Sequence, residues 1–440
     1  MKIVFIKPSM GTRPGRPYRR GIEIEPLEFA ILAGLTPDWA RTTLYDDRVE
    51  RLPDDVAADL VGIGVDTFTA RRGYDIADGF RARGIPVVIG GIHASLMPDE
   101  AARHADSVVL GEADELWPTV VEDCAAGRLA PRYQAPRKPS LRGLRPDRRI
   151  FGGKRYVPAR LVEFGRGCRN RCKYCAVSRF YGHEYRHRPI AEVLDELHSL
   201  RGREVYFADD NIIADTGVAR EFLAALAPLR IKWSGQMSFA YTADAGLMDL
   251  LAASGCRNLL LGLESLNETD LGRMGKTHAA GPAVYSRGLA ALRDRGIRVW
   301  GSFMFGFDGD TERSISRTIE FAQREKLFLA NCNTLTPCPG TALYEELAAE
   351  GRLLFGAWWR DPSYRFAHAV HRPAGMTPDT LTGHCYAMRR RFNSWRSIAA
   401  RGLDFKANCR DLPNAATYFL YNVVFRREMY RKQGMELGLR

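Results

Sequence analysis

Residues Gly165–Cys175 read GRGCRNRCKYC, which sets three thiols, Cys168, Cys172 and Cys175, in a C-x₃-C-x₂-C array. A short β-like run, Leu161–Phe164, precedes the array, and a basic, aromatic-rich segment follows it. Thiolates spaced this closely on one loop can converge on one side of a metal centre, and soft sulfur ligands suit iron–sulfur clusters or zinc. Three ligands from one loop, with no obvious fourth, leave one iron of a [4Fe–4S] cluster open to bind something else. The alternative is a structural zinc site with His183 or His187 as fourth ligand, although structural zinc loops usually come as two separated ligand pairs.

The chain has 440 residues, 45% hydrophobic and 26% charged, the profile of a globular protein of two or three domains. No apolar run approaches a membrane span. The start, MKIVFIKPSM, is too soon polar for a signal peptide and reads as a first strand, so a cytoplasmic location is expected. Nine cysteines in that setting read as thiols or metal ligands rather than disulfides. The six outside the array (Cys124, Cys256, Cys332, Cys338, Cys385, Cys409) are scattered, as small buried apolar residues would be. The net charge is +12, much of it in Arg13–Arg20, Pro131–Arg155, and Arg389–Arg391 with Arg426–Lys432. Such a balance is compatible with a nucleic acid, an anionic ligand or an acidic membrane surface, and alone selects none.

Residues 1–130 alternate strand and helix signals as a doubly wound sheet does. Ile3–Ile6, Thr42–Asp46, Leu60–Val65, Pro86–Ile89 and Ser107–Leu110 read as strands, with helices at Glu25–Leu35, Tyr74–Arg83 and Glu115–Ala126. Ligands on such sheets bind at the carboxyl strand ends, here Pro8–Gly11, Asp66–Thr69, Gly90–His93 and Gly111–Ala113. Residues 131–160, rich in Pro, Gly and Arg, read as a linker. From 161 to 351 a strand–helix pair recurs about every thirty residues, the pattern of a βα barrel. Strands are expected at 161–165, 203–209, 231–238, 257–263, 297–305 and 330–336, and helices at 188–200, 215–228, 244–254, 281–295, 311–325 and 341–350. Residues 352–440 leave this rhythm for an aromatic loop and three helical stretches, near 378–400, 403–409 and 413–432. The last carries aromatic and aliphatic residues on one side and ends in basic residues; it reads as a helix docked on the barrel rather than on a membrane.

The cysteine spacing, Tyr174 just before the last cysteine, and six βα units together resemble the radical S-adenosylmethionine (SAM) superfamily. The resemblance implies a partial (β/α)₆ barrel whose three cysteines hold a [4Fe–4S] cluster, with the amino and carboxylate groups of SAM on the open iron. It also implies SAM contacts from Tyr174, from Asp209, Asp210 and Asn211 after the second strand, from Gln236 at the end of the third, and from Glu264 at the end of the fourth. Asp, Asn and Glu at strand ends serve equally as helix caps, which is the competing reading. Gly301–Gly306 suits a wall of the adenine pocket, and Thr336–Thr341 resembles the family's T-P-x-P-G-T turn, with Cys338 an unusual residue inside it. The run PVVIGGIHASLMPDEAARHADSVVLGEAD resembles the flavodoxin-like, Rossmann-type cobalamin-binding domain found in one branch of this superfamily. That resemblance implies corrinoid contacts from Thr67, Gly90, Gly91, His93, Gly111, Glu112 and Ala113. The D-x-H-x-x-G loop that supplies a lower histidine in other corrinoid domains is absent, so any cobalamin should be base-off; an empty, vestigial domain is the alternative.

The reaction these resemblances imply begins with a 5′-deoxyadenosyl radical, formed when the reduced cluster cleaves SAM. A one-electron donor such as flavodoxin or ferredoxin would supply the electron. Cobalamin-dependent methylation of an unactivated carbon in a lipid, tetrapyrrole or specialised metabolite is the expected outcome. Cyclisation, ring contraction, oxidation or coupling without cobalamin is the alternative, and a zinc- or cluster-stabilised binding protein the non-enzymatic one. No nucleic-acid partner is expected: methylthiolating relatives carry a second cysteine triad and a C-terminal β-rich RNA-binding module, whereas here the N-terminal unit has only Cys124 and the C-terminus is helical.

Overall fold

Short runs of Val, Ile and Leu separated by amphipathic helices bury their backbone polar groups best as parallel strands covered by helices. The computed structural model, which describes residues 1–13, 16–17, 23–200, 202, 204–276 and 281–438, contains two six-stranded parallel sheets of this kind. The basic run at Arg13–Arg20 lies for the most part outside the described residues.

The first sheet runs Arg41–Asp46, Lys2–Lys7, Leu60–Gly64, Val87–Gly90, Ser107–Leu110, Arg132–Gln134. Strand order reverses between Lys2–Lys7 and Leu60–Gly64, which opens a crevice at their carboxyl ends, the place where such sheets take ligands. Alternate residues face opposite sides. Ile3, Phe5, Leu60 and Val88 pack under Phe29 and Trp117. On the other face, Val4, Ile6, Val61 and Ile63 join a core that also contains Trp358, Trp359, Tyr364, Val370 and Leu437 from the far end of the chain. The stretch expected as a linker does more than connect. Arg132–Gln134 adds the sixth strand through Tyr133, and Leu141, Leu144 and Phe151 fill the first face.

Glu100 fastens the C-terminal segment to this sheet. Its carboxylate, 5% exposed, accepts hydrogen bonds from Trp359 Nε1 (2.9 Å) and Tyr74 Oη (3.1 Å) and meets His93 Nε2 (3.2 Å). Burial alone would raise its pKa; the hydrogen bonds from His93, Trp359 and Tyr74 outweigh it and bring the group down to about 2 from an ordinary 4.5. A depressed carboxylate stabilises the fold above its unfolded pKa and loses that contribution as pH falls through the folded one. Urea unfolding of the apoprotein should therefore show about 3 kcal/mol lost between pH 4.5 and 2 through this group. Glu100→Gln should flatten that part of the pH profile; an unchanged slope would assign the loss to other carboxylates.

The second sheet keeps chain order: Ala159–Val162, Glu204–Phe207, Trp233–Ser238, Cys256–Glu264, Arg298–Phe305, Leu329–Thr334. Its outer face packs through Phe207, Trp233, Leu259, Leu261 and Phe303 against the intervening helices. First and last strands do not pair, so the barrel is partial. The first strand ends at Val162, short of the expected 165, because Gly165–Arg166 turns away to pair antiparallel with Arg186–His187. Near the C-terminus the helix expected over 378–400 is two helices, Pro378–Phe392 and Trp395–Gly402, with Ser394 Oγ capping the second by accepting from Ser397 N. The helix expected at 403–409 is a set of turns held by the Asp404 carboxylate, which accepts from Lys406 N (3.1 Å) and Asn408 N (3.4 Å). Leu412–Lys432 is the last helix, and Glu436–Leu437 then pairs with Gly11–Arg13 beside the first sheet.

Candidate active site between the two sheets

The cysteine loop starts where the first barrel strand leaves its sheet. Gly167 has φ +88°, and a Cβ there would lie 2.2 Å from the Glu184 carbonyl oxygen, so only glycine fits. Backbone bonds pin the loop on both sides: Lys173 N donates to Met274 O (2.9 Å), and Leu343 N donates to Lys173 O (3.1 Å). Cys168, Cys172 and Cys175 are all free and half-buried. Burial pushes the Cys172 thiol up, against a hydrogen bond from Tyr174 and the charge of Lys276. Burial likewise raises Cys175, with Ser178 acting in the opposite direction. Cys168 Sγ accepts from Asn211 Nδ2 at 3.7 Å.

Among the described residues no three His, Cys, Asp or Glu side chains are gathered as a metal-binding group. A [4Fe–4S] cube takes one thiolate per iron, so its ligands stand farther apart than those of a single ion. Three half-buried thiols on one braced loop, one of them already receiving an N–H donor, suit that arrangement, and a thiol bound to iron would give up its proton. His183 and His187, the fourth ligands a zinc site would need, each turn Nδ1 to a backbone carbonyl, of Asn170 and Arg188.

The structure divides the expected SAM residues. Asp209 is 1% exposed and both its oxygens are occupied, accepting from Phe164 N (3.0 Å) and Gly165 N (2.6 Å). It sits behind the cysteine loop as a brace, and burial pushes its pKa well up. Asp210 accepts from Gly167 N (3.1 Å) and is raised by burial to about 6. Asn211 Oδ1 accepts from Ser238 N (3.3 Å), which ties the second and third strands while its amide reaches Cys168. Gln236 stands on the third strand with its backbone carbonyl accepting from Ile212 N (3.0 Å). Glu264 has φ +62°, a left-handed backbone that a non-glycine residue adopts only under constraint. Its carboxylate pairs with Lys276 Nζ at 3.1 Å, and its charge reaches both Cys172 and Tyr174. Tyr174 packs against Phe307, Leu335, Met274 and Met304, and burial followed by the Glu264 charge drives its phenol pKa far up. Tyr174, Asn211 and Glu264 thus gather around the loop, whereas Asp209 supports it from behind.

The expected corrinoid residues divide as well. A cavity holding about 1370 Å³ of empty space, open mouth included, lies between the carboxyl ends of the first sheet and the cysteine loop's side of the barrel. Gly90, Gly91, Gly111, Glu112 and Ala113 line it from the sheet; Glu163, Arg166, Tyr181 and Ala208 line it from the barrel. A Cβ on Gly111 would meet nothing within 4 Å, so this glycine leaves bare space over the strand end. Thr67 and His93 are not among the lining residues. His93, expected among the corrinoid contacts, is fully buried in the short helix Ile92–Leu96, its ring between Thr67 Oγ1 (3.3 Å) and Glu100 (3.2 Å). Thr67 also hydrogen-bonds the Cys338 thiol, which burial raises to about 11 and which lies within electrostatic reach of Cys175.

Sequence reasoning missed the residue that joins the two walls. Arg166, the middle residue of GRG, is 6% exposed and binds Asp114 through two nitrogens (2.7 and 2.9 Å), Glu112 (2.8 Å) and Glu163 (2.9 Å). A charged residue between two glycines beside a cysteine array was the available signal. Lys7 and Glu28, paired at 3.0 Å, line the same cavity and were also missed.

The family description "Radical SAM superfamily" matches residues 162–322, from the first barrel strand into the helix Glu312–Arg324. The chain carries a radical SAM domain. As a radical SAM enzyme it is similar to bacteriochlorophyllide d C-8(2)-methyltransferase of Chlorobaculum tepidum, 29% identical over 416 residues, 89% of this chain and 90% of that protein. Two solved structures share its fold. The cobalamin-dependent S-adenosylmethionine radical enzyme OxsB, with aqua-cobalamin and S-adenosylmethionine bound, matches with a TM-score of 0.69 at 12% identity over 98% of this chain and 72% of that one. The radical S-adenosylmethionine methyltransferase TsrM from Kitasatospora setae, with cobalamin and a [4Fe–4S] cluster bound, matches with a TM-score of 0.63 at 18% identity over 79% of this chain and 75% of that one.

Proposed function

We propose that this radical SAM enzyme is a cobalamin-dependent C-methyltransferase whose substrate is a tetrapyrrole or a comparably large apolar molecule. The observation that carries the reading is the cavity itself. It lies at the switch point of a flavodoxin-type sheet, is floored by glycines, and is walled by the segment that carries the cluster cysteines. Similarity to a bacteriochlorophyllide methyltransferase over nine-tenths of both chains supports the substrate class.

When bound, the cluster with SAM supplies a carbon radical and cobalamin supplies the methyl group. The chain's part is holding and drying. Cys168, Cys172 and Cys175 hold the cluster, and Asn211 hydrogen-bonds the first of these sulfurs. Asp209 and Asp210 fix the loop from behind through the N–H groups of Phe164, Gly165 and Gly167. Glu264, paired with Lys276 on a constrained turn, would accept from the SAM ammonium, with Tyr174 near it. Gly90, Gly91, Gly111, Glu112 and Ala113 give the macrocycle a floor without bulk. With His93 engaged by Thr67 and Glu100, no histidine of this sheet approaches that floor among the described residues.

Protein purified from cells supplied with cobalamin should contain close to one cobalt per chain, and its absorption spectrum should be that of a base-off corrinoid. Assays under reduced flavodoxin should then yield deoxyadenosine and a methylated tetrapyrrole. A protein that excludes cobalamin yet still forms deoxyadenosine would instead be a cobalamin-independent radical enzyme with the first sheet as scaffold.

A further inference from the structure

The helix Leu412–Lys432 has 21 residues, of which only Tyr418 and Asn422 are buried. Its inner side leans on the barrel near the starts of the strands Arg298–Phe305 and Leu329–Thr334, with Phe425 edge-on to Trp300 at 4.8 Å and Tyr418 and Tyr421 against Phe328. The outer side carries Leu412, Ala416, Phe419, Leu420, Val423 and Tyr430, spaced by threes and fours into one stripe. Leu412 is 86% exposed and Leu420 60%, and the preceding loop adds Leu403 and Phe405 at 62% and 70%. Apart from Trp39 and Val284, every exposed large hydrophobic side chain among the described residues falls between positions 395 and 430. A concentration of this kind marks an interaction surface.

Its surroundings indicate the partner. Residues 389–432 hold eleven Arg and Lys against three Asp and Glu. Arg426 lies over the rings of Trp395 and Tyr430, 5.1 Å from each, while Arg396 and Arg427 are exposed. An apolar stripe bordered by arginines and interfacial aromatics matches the layered chemistry of a lipid surface, acyl chains beneath phosphates. A second copy would bring two basic faces together. A nucleic acid would neutralise the arginines but leave Leu412, Phe419 and Leu420 against polar backbone. We infer that this face docks on an anionic lipid bilayer, the helix lying in the interface plane. No helix among the described residues is long and apolar enough to cross a membrane, so the contact is one of lying on the surface. The inference stands apart from the proposed reaction, because its readout is binding.

The test is cosedimentation of the full chain with vesicles of equal phosphatidylglycerol and phosphatidylcholine, compared with phosphatidylcholine alone. Binding to the anionic vesicles should be at least about tenfold tighter. The double variant Phe419→Glu, Leu420→Glu, both side chains exposed, should lose at least about tenfold of that binding while its melting temperature stays unchanged. Equal binding by the variant would overturn the inference, as would equal binding to both vesicle types. Competition by transfer RNA that the variant does not alter would reassign the face to nucleic acid. A dimer in ultracentrifugation that the variant abolishes, without vesicle binding, would give it to a second copy.

Discussion

Replacing Cys168, Cys172 and Cys175 together by alanine is expected to give a folded, colourless protein with no iron retained and no SAM cleavage. The three thiols are half-buried on the surface of a loop whose shape is set elsewhere, by Gly167 and by backbone bonds to Asp209, Asp210, Met274 and Leu343. Their removal should therefore cost little stability while eliminating every ligand the chain offers the cluster. Anaerobic reconstitution of the unaltered chain should give about four irons per chain and the absorption of a [4Fe–4S] site. The triple variant should give near zero with an unchanged far-ultraviolet dichroism spectrum. Iron content equal to the unaltered chain would remove the cysteine loop from the reading altogether.

The second large effect should come from Arg166. This one guanidinium neutralises Asp114 and Glu163 and shares Glu112 with Arg186, all of them largely withdrawn from water. Arg166→Met keeps the bulk and removes the charge, leaving Asp114 and Glu163 without their cation and Glu112 with Arg186 alone at the cavity wall. Breaking a buried ion pair from one side costs about 3–5 kcal/mol, so urea unfolding should show a loss of that size. The damage should also reach the ligand: Glu112 and Asp114 form the rim beside Gly111, and their mutual repulsion should lower cobalt content per chain. Arg166→Lys should recover part of the stability but less of the cobalt, because an ammonium cannot reproduce the two-pronged bond to Asp114. A methionine variant as stable as the parent would mean the carboxylates are neutral or solvated without it.

The parts of this architecture legible in the sequence are those that depend on continuous local pattern. LVGIGV and PVVIG bury nearly every residue in turn, LLLGLE is an unbroken apolar run up to its last residue, and both patterns mark central parallel strands; the thiol spacing is local by nature. Arg132–Gln134 escapes such reading because an edge strand with one buried residue, Tyr133, carries no apolar run. The role of Asp209 escapes it for another reason. A carboxylate just past a strand suits a ligand, a cap or a brace equally well, and only the direction of its two oxygens toward Phe164 and Gly165 decides. His93 sits among glycines that suggest a turn, yet the short helix after them carries it inward to Glu100. The break at Asn393–Ser394 was readable in principle, since serine is a favoured N-cap, but a tract of good helix formers on either side masks it. The cavity itself is written in no single stretch; its walls come from segments that meet only in the folded chain.

The core behind the first sheet has a bearing on how the protein is made. Trp358, Trp359, Tyr364 and Val370 share one core with Val4, Ile6, Val61 and Ile63, so part of that core is translated more than two hundred residues after the strands. At typical synthesis rates the ribosome takes roughly 10–50 s to travel that far. The helix Ala70–Arg81 shields part of that face as soon as it is made, but throughout that interval the rest of the core lacks its late-made members, and it closes only once the whole barrel has emerged. Early release of the chain, or expression of the first sheet by itself, should therefore yield material that aggregates rather than a free-standing module, and yield in a host should depend on chaperones that occupy such faces during elongation.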